Sequence, residues 1–278
     1  MDGSIEKSKI QTLYEACSLV FSQKEPPSFQ QIQWLKNLLG IFEAKDVGID
    51  EFGICGSPSS SQNENKGQIC VQSISEITYI HIHECDDFSI GVFCFPAGGA
   101  LPLHDHPGMT VFSKVLYGSV YVKAYDWVLK VDTSSSTSKT CKNSLLAQTF
   151  LSINLFLFFV DHDFICWDVR IYVGDEVGLA SRVREEIIMR APCETSVLYP
   201  TSGGNIHSFT ALTPCTILDV LTPPYSDDLG RPSTYFSLFP LSSLPDYVVL
   251  EERDLPEDLV VRGAPYMGPQ IDAGHDFC

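Results

Sequence analysis

Residues 97–109 read AGGALPLHDHPGM, and two histidines, His104 and His106, stand two apart in a short segment bracketed by glycines and prolines. In an extended strand side chains alternate between faces, so both imidazoles would project one way and Asp105 the other. Two neutral imidazoles on one face can share an ion such as iron, nickel, copper or zinc, whereas magnesium and calcium favour oxygen donors. Spacing alone is a weak signal, because His-x-His also arises on any strand with a polar face. ITYIHIHECDD (77–87) reads as that plainer case: His81 and His83 are two apart, and Ile80 and Ile82 mark the opposite face as apolar.

Outward from this stretch the pattern is short β-rich runs broken by Gly, Pro and Asp. They are QICVQSI, ITYIHIHEC, FSIGVFCFP, MTVFSKVLYG and SVYVKAYDWV, and later TSVLYP, IHSFTAL and CTILDVLTP. Many short strands with turn signals between them predict a sandwich or barrel. Ahead of them, residues 4–23 read as an amphipathic helix. SFQQIQWLKNLLGIFEAKDVG reads as a second, with Ser28 a candidate N-cap and Gly48 a candidate stop. Residues 56–67, GSPSSSQNENKG, lack apolar content and read as a loop. The expected organisation is an N-terminal helical segment (1–55) packing on a barrel, the loop (56–67), and the barrel itself (68–278).

Composition narrows the partners. The 278 residues carry 18 Lys and Arg against 35 Asp and Glu, a formal charge of -17. That balance argues against direct nucleic-acid binding, which needs clustered cations, and favours cationic peptides. The ten cysteines are dispersed with no CxxC pair, and the N-terminus has charges where a signal peptide needs an apolar run, so an intracellular, reduced chain is expected. One segment stands apart: Ser144–Val160 is uncharged and crowded with Leu and Phe. It is shorter than the roughly 20 apolar residues of a membrane span and is interrupted by Gln148, Thr149, Ser152 and Asn154, so no membrane association is expected.

Two motifs lift the first histidine pair above chance. Gly98 precedes His104 by six residues and Gly118 closes the following strand; downstream, ETSVLYPTSGGNIHSFTA carries Pro200, a glycine pair and His207. Together they resemble the paired motifs of the cupins, so the fold class implied is a mainly β, cupin-type double-stranded β-helix (jelly roll) barrel with N-terminal helices. Cupins usually carry a glutamate soon after His-x-His; here the chain reads PGMTVF, and the ligand set becomes His104, His106 and His207. Three neutral imidazoles leave a divalent iron its full charge, which favours direct binding of an anion such as a thiolate and makes thiol oxidation the leading chemistry.

The stretches at 77–128 and 191–226, with the tail YVVLEERDLPEDLVVRGAPYMGP, closely resemble the plant cysteine oxidases, relatives of the animal 2-aminoethanethiol dioxygenase. The resemblance implies an Fe(II) thiol dioxygenase that uses O2 to convert an N-terminal cysteine of target proteins to cysteine sulfinic acid. It also implies substrates of the ethylene-response-factor type, entry of the product into the N-degron pathway, a role as oxygen sensor, and residence in cytoplasm and nucleus. Carried over by motif, His104, His106 and His207 are the iron ligands, and Asp219 and Tyr225 match further active-site positions. Asp219 near the iron could hold the α-ammonium of the incoming cysteine or assist loss of its thiol proton; a ladder carboxylate at the end of an apolar strand is the plainer reading. Tyr225 reads equally as a packing aromatic, and Cys193 and Cys215 as small buried hydrophobes.

The chain departs from that family at about 139–173, an apolar insertion with neither strand alternation nor a polar helical face, read as a retained intron or splice variant. Two rival readings stand beside the oxidase: a cupin metalloenzyme acting on another small molecule, and a catalytically impaired variant or scaffold.

Overall fold

The computed structural model describes residues 7–23, 25–50, 69–70, 74–131, 177–182 and 187–273. The loop at 56–67 and the insertion at 139–173 lie outside the described residues. Helix α1 (Lys9–Phe21) begins where the Ser8 side chain accepts from the Gln11 backbone N–H, and it buries Ile10, Leu13, Tyr14, Cys17 and Val20 at helical spacing. Helix α2 (Phe29–Gly40) opens with a reciprocal capping box between Ser28 and Gln31. The reading of one helix through to Gly48 is corrected here: α2 ends at Gly40, and a separate 3-10 turn spans Ala44–Val47. The break lets Phe42, Val47 and Ile49 all reach the core, and the Asp46 carboxylate ties the turn to α1 through Lys9 at 2.7 Å. Gly48 stops this turn at φ 75, and a Cβ there would lie 2.5 Å from the Gly268 nitrogen in the tail.

The described strands are, in order, β1 (Ile49–Asp50), β2 (Ile69–Cys70), β3 (Ile77–Glu84), β4 (Ser89–Phe95), β5 (Ala100–His104), β6 (Thr110–Tyr117), β7 (Ser119–Val131) and β8 (Val177–Arg182). Then come β9 (Ile187–Arg190), β10 (Ser196–Leu198), β11 (Ile206–Ala211), β12 (Cys215–Thr222), β13 (Tyr235–Pro240), β14 (Tyr247–Arg253) and β15 (Val261–Ala264). One sheet runs β10-β6-β12-β4-β3-β15. The other runs β11-β5-β13-β14-β8-β7, and β11 also pairs with β7, so its six strands close into a ring, with β9 added on β7. The fold is the mainly β cupin barrel that the motifs imply.

Alternation along the first sheet decides what faces what. Ile80, Ile90, Val92, Phe112, Leu218 and Val220 share one core cluster with α1 and α2. Their neighbours Phe95, Val115 and Ile217 instead meet Leu101, Val122 and Phe209 of the ring. One face of the sheet therefore carries the helices, and the other closes a second core against the ring. At the corner after β6, Gly118 adopts φ +76, and a Cβ there would fall 1.9 Å from the Pro214 carbonyl oxygen. The corner thus requires glycine. The His81 and His83 pair does not share a polar face: the register shifts between them, His81 is exposed, and His83 packs 4.8 Å from the Tyr14 ring.

Candidate metal centre and its cavity

Strand register brings the ligands together. β5 ends at His104, and antiparallel pairing with β11 makes His207 its Cα partner. His106 lies past the end of β5, so the two-apart spacing does not work through strand alternation as expected. The backbone turns after His104, and Asn205 holds it there: its Oδ1 accepts from the His106 N–H at 3.1 Å and its Nδ2 donates to the His106 carbonyl at 2.8 Å. Asp126 on β7 accepts from the backbone N–H groups of Gly204 and Asn205 at 2.9 and 3.0 Å. Gly203 and Gly204, at φ 86 and 88, make the left-handed turn that presents them. Asp105 points away from the rings, accepting from the Thr234 N–H at 3.1 Å.

Each ring is held through the same atom. Nδ1 of His104 donates to the Pro102 carbonyl at 2.8 Å, that of His106 to Asn205 at 3.1 Å, and that of His207 to Gly204 at 3.1 Å. Carbonyls only accept, so the proton sits on Nδ1 and the Nε2 lone pairs are free. The three rings offer ligand atoms within 4.8 Å of one another, and no carboxylate joins them among the described residues. Burial lowers all three below the ordinary imidazole value, His106 to about 3 and His207 well below it, with repulsion between neighbouring rings adding to the effect for His106 and His207. They are therefore neutral donors at pH 7, and the donor set fits a divalent transition-metal ion.

A cavity of about 390 Å³ opens onto this centre. His104, His106 and His207 form one wall, Asp219 with Ser113 and Tyr79 the facing one, and Phe93, Phe95 and Phe209 make much of the remainder apolar. Apart from the histidines and tyrosines its ionisable lining is Glu84 and Asp219, with no Lys or Arg among the described residues. Asp219 is 7% exposed, and its Oδ1 is buried without a hydrogen-bond partner. Burial pushes its carboxyl up to about 7, partly opposed by the Ser113 hydroxyl. Tyr225 stands 5.5 Å from the His106 ring, and its hydroxyl donates to the Asp105 carbonyl at 2.7 Å. A wider groove of about 1200 Å³, between the Ala44–Val47 turn and β6, contains none of these residues.

All five residues read from the sequence thus line one cavity. Asn205, Asp126 and Tyr79 escaped that reading. Asn205 had a usable signal, since it lies between the glycine pair and His207.

A family model described as PCO_ADO matches residues 38–271. Plant cysteine oxidase 1 of Arabidopsis thaliana is 38% identical over 95% of this chain and 80% of its own. The 2-aminoethanethiol dioxygenase of Mus musculus is 29% identical over 90% of this chain and 89% of its own. Among solved structures, an RmlC-like cupin protein from Desulfovibrio desulfuricans aligns at TM-score 0.27 and 14% identity, over 60% of this chain and 98% of that one.

Proposed function

The chain belongs to the PCO_ADO family of thiol dioxygenases, and from that premise we propose that it uses Fe(II) and O2 to convert the N-terminal cysteine of target proteins to cysteine sulfinic acid. The observation that carries this reading is the charge of the cavity: a buried, unpartnered carboxylate oxygen at Asp219 and no cation in the described lining. A peptide's N-terminal cysteine brings an α-ammonium and no α-carboxylate. Free cysteine brings a carboxylate that would meet Asp219 and Glu84 with no Lys or Arg of the described lining to pair it, so the lining disfavours it relative to the peptide.

Nε2 of His104, His106 and His207 would hold the ion. Bound there, Fe(II) supplies Lewis acidity toward a thiol and one-electron reactivity toward O2. The remaining tasks fall to side chains. Asp219, when ionised, receives the α-ammonium; Tyr225 braces the 104–106 backbone through Asp105; the phenylalanines limit water. A thiolate and one O2 account for both oxygens of the sulfinate, and no organic cofactor enters the balance. By this reading the targets are ethylene-response-factor type transcription factors, the product feeds the N-degron pathway, and the protein works as an oxygen (hypoxia) sensor in cytoplasm and nucleus. No helix of the described residues is long and apolar enough to cross a membrane.

Anaerobic reconstitution with Fe(II), followed by mass spectrometry of a Cys-initiated peptide before and after O2, tests the proposal. The expected result is a gain of two oxygen atoms, lost with the bound iron in His207→Ala. Oxidation of free cysteine in preference to the peptide, or no oxidation by iron-loaded protein, would overturn it.

A further inference from the structure

The wall opposite the histidines contains a row of polar groups that runs across strands. On β12, Asp219 is the Cα partner of Gly91 on β4 and, on its other side, of Ser113 on β6. Gly91 in turn pairs with His81 of β3, two residues along from Tyr79. Its φ is not left-handed; what it lacks is a side chain where another one passes. A Cβ at Gly91 would lie 2.4 Å from the Tyr79 hydroxyl oxygen and 2.6 and 2.7 Å from ring carbons. The Tyr79 ring therefore leaves β3, lies 4.9 Å from the Phe93 ring at a 46° tilt, and crosses over Gly91 in the direction of Asp219. Burial and the nearby Asp219 carboxylate both push its phenol up, to about 12, so it stays a neutral hydroxyl.

Tyr79 lines the cavity, and its hydroxyl makes no hydrogen bond within the described residues; neither does Oδ1 of Asp219. Two oxygen acceptors without donors, on one wall and reached over a glycine, match a group that brings several N–H donors and a positive charge. We infer that Tyr79 is a specificity-determining residue, its hydroxyl and Asp219 Oδ1 forming a two-point cradle for a primary ammonium. Resting on the reading above, that ammonium is the unblocked α-amino group of an N-terminal cysteine. Gly91 is the notch that lets the ring lie there. A blocked amine has too few donors and no charge, so the cradle distinguishes free from acetylated N-termini.

The test is anaerobic binding, by calorimetry on the Fe(II)-loaded protein, of a Cys-initiated peptide and its N-acetylated counterpart, with O2 admitted afterwards. The wild type is expected to prefer the free amine by tenfold or more. Tyr79→Phe should lose about tenfold for the free amine and nothing for the acetylated peptide, and Gly91→Ala should do the same by displacing the ring. Unchanged discrimination in Tyr79→Phe overturns the cradle, as does equal weakening toward both peptides, which marks a merely structural role. Discrimination that survives in the wild type and collapses in Tyr79→Phe upholds it even where O2 yields no sulfinate, an outcome that would sink only the oxidation chemistry.

Discussion

Asp219 sets two demands against each other in one carboxyl group. In the proposed function its charge receives an ammonium, yet burial raises its pKa from 3.8 to about 7. A folded-state pKa above the unfolded value means that the folded metal-free protein binds the extra proton between about pH 4 and 7. Stability from this group is therefore highest in acid and falls as pH rises through that window. Asp219→Asn should raise the Tm of metal-free protein by several degrees at pH 8 and far less at pH 4, in paired thermal scans. Activity should move the other way: wild-type kcat/KM rises with pH through about 7, and the variant loses that limb together with about 10- to 100-fold in rate. The three histidines were legible because their motifs are local, whereas the distance from Tyr79 to Asp219 in sequence hides a neighbourhood that only strand pairing creates.

At the level of elements, the sequence was most informative where strands alternate cleanly. β3, β4, β6, β7, β11 and β12 all coincide with runs read from β-rich composition. β5 was read as an extended segment bracketed by glycines and prolines but carried through His106; it ends at His104 and holds its place through pairing with β11. The second helix was drawn too long, since periodicity continues through Phe42 and Val47 although the backbone has turned. His106 depends on one such tertiary device, the clamp between the turn after β5 and the start of β11. Asn205→Ala removes both hydrogen bonds to the His106 backbone. It should weaken metal binding about 10- to 100-fold, in titration against a competing chelator, while far-UV circular dichroism keeps its β signature.

For the molecule as a whole, what bears on the apolar insertion is the pairing of the two strands that flank it in sequence. β7 and β8 are antiparallel neighbours, and Val131, the last described residue before the insertion, is the Cα partner of Val177, the first after it. The two strands that flank the insertion in sequence are thus joined to each other by strand pairing. Deleting residues 139–173 leaves residues 132–138 and 174–176 to make the connection, and loop closure costs grow only slowly with length. Iron stoichiometry by elemental analysis and peptide oxidation should match or exceed those of the full chain. A fall in either would show that the barrel depends on the segment.

That single rung also bears on how the chain can vary. Two paired strands act as a pair of brackets: sequence between them can lengthen, shorten or be replaced at little loop-closure cost while the strands keep their register. What is inserted there is constrained by the solubility of what it adds rather than by the register of the barrel.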